Sequence, residues 1–600
     1  MASLISKASL LMVPSTYEPG TLFNVLPSGN RAPDSTDQNS GYDQTRADFD
    51  FDRGSNAAAT RIDSNGVLQK YRENKLLRSN QFDTTWYNSN STETGGQADK
   101  DGGTNAWLLT KTATNGGIRQ NNTTTGVQTF SFYAKAADSN WVKVNNLGSS
   151  AYHQANFDLV NGVVGTTDYI IDAKIEDVGN GWFRCITTYN TTLVKIDVRV
   201  ADSDNVVSGT SGSIYIQSAQ LESGLCSTEY LNSTDVTAKA GVLVDLPRIN
   251  YDANGENGAL LLEGSRANGL AHSEYFGSWN LSGGTLTANS TTSPEGVQNA
   301  YLYTEDTSTN YHRFNVGASA TSSSKVYSIY AKLANGAVNK WLTIDNGPTA
   351  WFDLENGVVG TTQGSVVISI ESVGNGWYRC IYHNPASNTG GIYIGINSGN
   401  GVAGNHTGSG QPAFYAYGAQ CEDNATYASS YIPNHGESGG VTRAADVCGG
   451  AGDANTFNST EGVLYAEISA LADDGTNRRI SLNDGSDTNR INLMFTSTSN
   501  EVVCNYKVSG TTQVSLSNVL SDVADTFKIA FKYLSGDFAL FVNGVKVDTD
   551  SNTTMITANT LDNLDFLDGA GLNNFYGNVK QVLTFNTALT DSELATLTTL

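Results

Sequence analysis

Short runs in which apolar and polar residues alternate, separated by tight turns, fill most of this chain. Gly462-Val463-Leu464-Tyr465-Ala466-Glu467-Ile468 alternates as a strand, as does Asp525-Thr526-Phe527-Lys528-Ile529-Ala530-Phe531-Lys532-Tyr533. Residues 538–547 read as a hairpin and residues 577–585 as a last strand. Upstream, Asn161-Gly162 and Asn180-Gly181 sit between apolar or aromatic residues, and Asn356-Gly357 and Asn375-Gly376 repeat them. Asn-Gly suits a two-residue type I′ turn, because both central residues need positive φ. Trp182, Phe183 and Cys185 then open a strand, as do Trp377, Tyr378 and Cys380. Helical periodicity is missing from both regions. The helix expected is at the end, where Thr590-Asp591-Ser592-Glu593 spells a capping box. The pattern predicts an all-β, multidomain chain of jelly-roll or sandwich units with little helix.

The two regions are copies. Phe157-Asp158-Leu159-Val160-Asn161-Gly162-Val163-Val164-Gly165 returns as Phe352-Asp353-Leu354-Glu355-Asn356-Gly357-Val358-Val359-Gly360, an offset of 352 − 157 = 195. Val178-Gly179-Asn180-Gly181-Trp182-Phe183-Arg184-Cys185 returns at the same offset as Val373-Gly374-Asn375-Gly376-Trp377-Tyr378-Arg379-Cys380. Arg72-Glu73-Asn74 answers to Arg266-Ala267-Asn268, Tyr133-Ala134-Lys135 to Tyr330-Ala331-Lys332, and Ala219-Gln220-Leu221-Glu222 to Ala419-Gln420-Cys421-Glu422. Solenoid and propeller repeats run at roughly 20–50 residues, so this is a duplicated domain. The organisation expected is an arm over 1–70 that docks on a partner, module one over 71–235, a linker over 236–265, module two over 266–440, a linker over 441–455, and a further β unit over 456–600.

These segments, in this order, resemble the phage head spike fibre domain, closing in the second copy on Ser430-Tyr431-Ile432-Pro433. The first copy departs there, with Thr228-Glu229-Tyr230-Leu231. Residues 456–600 resemble the concanavalin A-like and laminin-G jelly rolls through Phe541-Val542-Asn543-Gly544 and the ending around Phe585-Asn586-Thr587-Ala588-Leu589. The resemblance implies a bacteriophage virion fibre or spike on head or tail. It further implies a homotrimer that contacts other virion proteins through the arm and attaches to host-surface polysaccharide. A capsid decoration or tail component without a ligand is the alternative, and a polysaccharide depolymerase a third reading. The expected location is the particle surface, after assembly in the host cytoplasm.

Composition narrows the chemistry. With 35 Lys+Arg against 59 Asp+Glu the formal charge is −24, which argues against nucleic acid as a partner. No run approaches the roughly 18 apolar residues of a membrane helix, so membrane insertion is not expected. The stretch before Pro14 does not read as a signal peptide. Six Cys in 600 residues make no disulfide framework, and Cys185 and Cys380 read as small buried residues on equivalent strands.

Aromatic side chains are the candidates for stacking on a sugar ring. Trp182 and Trp377 follow tight turns in strand register, which also suits core packing. Trp351 and Tyr152 lie near the matching hairpins. No cofactor is expected, save that Asp473, Asp474, Asp484 and Asp487, in Gly-containing turns, offer oxygens for a structural Ca²⁺, as do Asp101 and Glu295. The six His are scattered and no paired-carboxylate or Ser/His/Asp motif stands out, so the chain is not expected to be an enzyme.

Overall fold

The computed structural model describes residues 2–14, 24–25, 49–55, 58–317, 323–388, 391–437 and 439–600. The fold is all-β, with antiparallel sheets and the helix Asp591–Thr598 carrying the expected capping box. Module one has two six-stranded sheets. The first runs, in spatial order, Val163–Asp168, Tyr152–Asp158, Trp141–Gly148, Leu193–Ala201, Gly117–Thr124 and Tyr87–Ser89. The second is centred on Val127–Ala136 between Trp182–Asn190 and Ser213–Ser223. Module two repeats both, its first sheet running Val358–Thr362, Thr349–Asp353, Trp341–Asp345, Ile392–Asn397, Arg313–Val316 and Asn280–Ser282. Cys185 and Cys380 both lie in the cores between the sheets.

The turns divide. Asn180 and Gly181 have φ of 55° and 75°, and Asn375 and Gly376 have 53° and 75°, the left-handed pair that a type I′ turn requires. Asn161-Gly162 and Asn356-Gly357 do otherwise: the glycines are left-handed and the asparagines are not. The cause is the preceding aspartate. Asp158 accepts from the Val160 and Asn161 amides and from Asn161 Nδ2, so a four-residue loop closes over its carboxylate. Asp353 does the same for Glu355 and Asn356.

The repeated polar motifs form a hydrogen-bonded frame. Asn74 is fully buried, donates to the Ala219 and Leu231 carbonyls, and accepts from the Leu76 and Leu221 amides. Asn268 repeats all four bonds with Ala419, Ile432, Leu270 and Cys421. Arg184 reaches Ser131 and the Thr228 carbonyl, and Arg379 reaches Ser328 and the Ser429 carbonyl. Buried polar groups are cheap only when fully paired, so this frame locks the module's closing segment onto its opening one.

Residues 456–600 form the third unit, whose two sheets share one core. Its strand Gly577–Phe585 pairs along one edge with Glu461–Ala470. The other edge takes two guests: Leu10–Met12 lies opposite Val582–Thr584, and Leu260–Leu262 opposite Gly577–Val579. Leu10, Met12, Leu260 and Leu262 are at most 1% exposed. An unpaired apolar edge strand must be covered, and these two segments cover it. The strands described in the expected arm therefore pair within this chain, Asp50–Asp52 with Val447–Gly449 among them, while residues 15–23 and 26–48 of the arm lie outside the described residues. Of the expected 236–265 linker, Ala238–Ala240 pairs with Arg72–Asn74, and Arg248–Asn250 with Ala259–Leu262 joins the third unit. The hairpin Thr60–Ile62/Leu68–Lys70, also within the expected arm, seats Leu68 against Trp377, Tyr330, Tyr417 and Tyr431 of module two.

These crossings meet at a buried ionic joint. Arg53, Arg248, Glu263, Arg443 and Asp446 are each at most 2% exposed. Arg248 pairs with Glu263 at 2.7 Å and with Asp446, and Arg443 reaches Glu263 at 3.0 Å. Arg53 lies 3.6 Å from Asp446 and donates to the Leu243 carbonyl at 2.5 Å. Burial alone would push the Glu263 carboxyl up; the Arg443 and Arg248 guanidiniums and the Ser430 bonds override it and hold it at about 2. Burial instead lowers Arg53 to about 10 despite Asp446.

Three outcomes follow from the frame and the joint. Asn268→Ala leaves four buried backbone groups unpaired and should cost about 3 kcal/mol or more in urea unfolding. Arg248→Met leaves Glu263 with Arg443 alone and Asp446 with the more distant Arg53 alone, and should cost about 3 kcal/mol. For Glu263 the sign is fixed by its lowered value: the stabilisation is present above the unfolded carboxyl value near 4.3 and is lost as pH falls toward about 2. Glu263→Gln should therefore flatten the stability-versus-pH curve between about pH 5 and 2, a window worth about 3 kcal/mol for such a shift. An unchanged slope would exclude Glu263 as a source of acid sensitivity.

Candidate functional site

The structure removes three of the four sugar-stacking candidates from solvent. Trp182 is 1% exposed, beside Tyr215. Trp377 is 2% exposed beneath the 60–70 hairpin, with its Nε1 donating to the Thr292 carbonyl. Trp351 is 1% exposed and donates to the Val402 carbonyl at 3.0 Å. No ring face is left on these three for a sugar. Tyr152 is 43% exposed, over Lys195.

The aspartates chosen for Ca²⁺ act separately. Asp473 accepts from Ser499, Asp474 from Thr476 and Arg478, Asp484 from Ser486 and Asn489, and Asp487 pairs with Lys507. Asp101 pairs with Lys100 and Glu295 with the buried Lys70. They cap turns and balance cations in different places.

The side chains that do converge outward lie on the first sheet of module two. Phe314, Ile394, Leu342, Ile344 and Phe352 point into the core, so period two turns Arg313, Tyr393, Gly395, Thr343, Asp345 and Trp351 to the other face. Arg313 stands opposite Gly395, Gly395 opposite Thr343, and Thr343 opposite Trp351. Gly395 makes the hollow: a Cβ there would lie 2.8 Å from Arg313 Cβ and 3.2 Å from Thr343 Oγ1. The resulting cleft, of about 40 Å³, is lined by Tyr311, Arg313, Thr343, Asp345, Tyr393 and Asn397 among others.

Its centre is a cation between two rings. The Arg313 guanidinium lies 4.1 Å from the centroid of Tyr311 and 4.1 Å from that of Tyr393. Asp345 Oδ2 is 3.8 Å from Arg313 Nη1, and its carboxyl is pushed up by burial, against the opposing pull of the Gly347 amide and Arg313. Tyr311 remains 41% exposed. A Gly-rich loop over 398–404 roofs Trp351 and is pinned by Asn400, which accepts from Thr361 N and Oγ1 at 2.8 and 3.0 Å. Module one builds the same face from an ion pair and a charged hydrogen bond: Arg199 pairs with Asp197 at 2.8 Å, and Lys143 donates to the Asn205 amide oxygen. The sequence did carry a signal for this site, since Tyr393 stands between Ile392 and Ile394 as an aromatic at a polar-phase position.

Two larger cavities lie at joints between units. One of about 170 Å³ is lined by Lys70, Cys226, Glu295 and His435, and one of about 290 Å³ by Glu263, Tyr330, Arg379 and Tyr427, among others. Much of their polar lining is engaged in holding the joints: Lys70 bridges Glu274 and Glu295, Glu263 belongs to the ionic joint, and Arg379 to the frame. In the module-two cleft Tyr311 is exposed and Arg313, Thr343, Asp345 and Tyr393 remain partly so.

No protein-family model matches the chain, and no curated protein matches it. Among solved structures it is similar to the CBM40 of the Ruminococcus gnavus IT-sialidase bound to α2,3-sialyllactose, at 16% identity, over 25% of this chain and 93% of that chain, with a TM-score of 0.22. It is also similar to the CBM22-1–CBM22-2 tandem of Paenibacillus barcinonensis Xyn10C, at 12% identity, over 62% and 99% of the two chains, with a TM-score of 0.19. Sheep galectin-11 is similar at 14% identity, over 21% and 89%, with a TM-score of 0.15.

If Trp377 is the seat of the 60–70 hairpin, its loss should release that hairpin. Trp377→Ala should cost about 3–5 kcal/mol and open residues 63–67 to limited proteolysis, whereas Tyr152→Ala should leave both unchanged.

Proposed function

We propose that this chain is a bacteriophage virion appendage that holds host-surface polysaccharide on the Tyr311–Arg313–Tyr393 face of module two. The virion part rests on the order of motifs shared with phage fibre modules. The glycan part rests on one observation, the guanidinium held between two tyrosine rings above Thr343 and Asp345. The apolar C–H face of a pyranose packs on an exposed tyrosine ring. Its hydroxyls pair with charged and amide groups fixed at the ring's edge, where charge-assisted hydrogen bonds are strongest. Arg313 and Asp345 are placed for that role, and the tyrosines hold the guanidinium rigid before any ligand arrives, which lowers the ordering cost of binding.

The activity is binding without bond cleavage. One shallow face binds weakly, and display of three copies on a homotrimer raises avidity by about 10²–10⁴. A ligand-free capsid decoration or tail component is the second reading, favoured by the buried ionic joint, which suits a stiff spacer.

Glycan-array binding by the full chain separates the two. Wild type should bind host polysaccharide, and Tyr311→Ala and Tyr393→Ala should each weaken binding by about 10-fold, which is about 1.4 kcal/mol. Binding that is absent, or unchanged in both variants, would leave the structural reading. Immunogold labelling of intact particles tests the virion assignment separately.

A further inference from the structure

Beside that cleft lies a cluster that the glycan reading does not use. Glu305, His312 and His406 offer ligand atoms that all lie within 4.8 Å of one another. Glu305 ends the strand Gln298–Glu305, His312 precedes Arg313–Val316, and His406 sits in the loop returning from Ile392–Asn397 to Pro412–Asp423. Nearly a hundred residues separate the two histidines, yet their ring centroids are 4.4 Å apart.

The hydrogen bonding around the cluster lacks a cation. The Glu305 side chain is 1% exposed, and among the described residues its ion-pair partner is His406, at 2.7 Å. Asn339 and Ser409 also donate to it, but neither carries charge. His312 has both ring nitrogens against backbone carbonyls, Nδ1 at 2.5 Å from Gly283 O and Nε2 at 3.1 Å from His406 O. A neutral imidazole has one N–H, so one of those contacts sets lone pair against lone pair. His406 Nδ1 is buried with no hydrogen-bond partner. The ring of His312 is also held by shape: a Cβ at Gly408 would lie 2.4 Å from its Cε1, and one at Gly283 2.8 Å from its Nδ1.

We infer that Glu305, His312 and His406 form a binding site for a divalent transition-metal ion of the zinc class. Two imidazoles and one carboxylate are the donor set that suits such ions, and imidazole disfavours Ca²⁺ and Mg²⁺. An imidazole N–H given to a backbone carbonyl, as His312 Nδ1 gives to Gly283, is the usual second contact of a metal-bound histidine. Ligands at about 2.0–2.2 Å from a tetrahedral zinc stand about 3.3–3.6 Å apart, so the 2.7 Å Glu305–His406 contact would widen by more than half an ångström and the wider ligand separations, within 4.8 Å, would close around the ion. Asn339 and Ser409 then become outer donors that orient the carboxylate. Three protein ligands leave a fourth position open.

The first module shows what stands here without such a site. Lys111 and Glu305 are equivalent, their amides donating to Gly212 O and Gln411 O at the same step of the fold. Lys111 pairs directly with Asp202. The copy with a lysine closes this corner by itself, and the copy with a glutamate and two histidines needs a cation to do so. The ion would join the loop after Asn397, which roofs Trp351, to both sheets of module two.

Tag-free full chain, stripped with chelator and dialysed against Zn²⁺, should retain about one ion per chain by elemental analysis and gain thermal stability. His312→Ala and His406→Ala should each weaken Zn²⁺ binding on the order of 100-fold or more, beyond the loss typical of outer contacts. Co²⁺ on the wild-type chain gives a readout independent of variant folding: a four- or five-coordinate d–d spectrum without a thiolate charge-transfer band. A thiolate band would move the metal to cysteine, and no stoichiometric metal, or unchanged uptake in both variants, would overturn the site.

Discussion

The arrangement of this chain depends on the buried joint of Arg53, Arg248, Arg443, Glu263 and Asp446. No two adjacent segments can complete it. Arg248 and Glu263 come with the hairpin before module two, Arg443 and Asp446 with the segment after it, and Arg53 from near the N-terminus. Each ion is costly to desolvate alone, and the set is tolerable only when every segment is in place. A joint of this kind adds little net stability over an apolar one of equal volume. Its consequence is specificity, because partly docked arrangements leave a buried charge unmatched. The attraction that brings the segments together is apolar, from Leu10, Met12, Leu260 and Leu262 on the third unit and Leu68 on module two.

This packing also decides where a ligand can go. Module two has two sheets, each with an outer face. The 60–70 hairpin seals the outer face that carries Trp377, Tyr330 and Tyr417. Among the described residues Arg313, Tyr311 and Tyr393 stay partly exposed on the other outer face, where the cleft sits, and the histidine cluster lies buried beside it, between the two sheets. The location of the proposed site thus follows from how the units are tied, before any property of a ligand is considered.

What was legible in the sequence was whatever depends on near neighbours. Alternation showed the strands, and Asn180-Gly181 and Asn375-Gly376 showed the type I′ turns. The capping box of Thr590 and Glu593 showed the helix. Asn161-Gly162 misled because the Asp158 carboxylate, three residues earlier, sets the loop. The tryptophans misled for another reason: exposure on a sheet depends on what covers it, and Trp377 is covered by a hairpin some 310 residues away in the chain. Strands of three residues, such as Leu10–Met12, carry too little pattern to reveal a distant pairing. The histidine cluster had no spacing signal, since its members meet only through the fold.

The duplication supplies an internal comparison between what the fold needs and what it permits. The two copies agree where the frame is built: Asn74 with Asn268, Arg184 with Arg379, Gln220 with Gln420, Asp158 with Asp353. They differ on the outward face and its corner. There the first copy has Arg199 with Asp197 and Lys111 with Asp202, ion pairs that satisfy themselves. The second has Tyr311, Arg313 and Tyr393, and Glu305 with two histidines. A scaffold position can change only if its partners change with it, whereas a ligand-facing position is free of that constraint. The self-satisfied corner of the first module therefore reads as scaffold, and the under-satisfied corner of the second is where the proposed ligand and ion would sit.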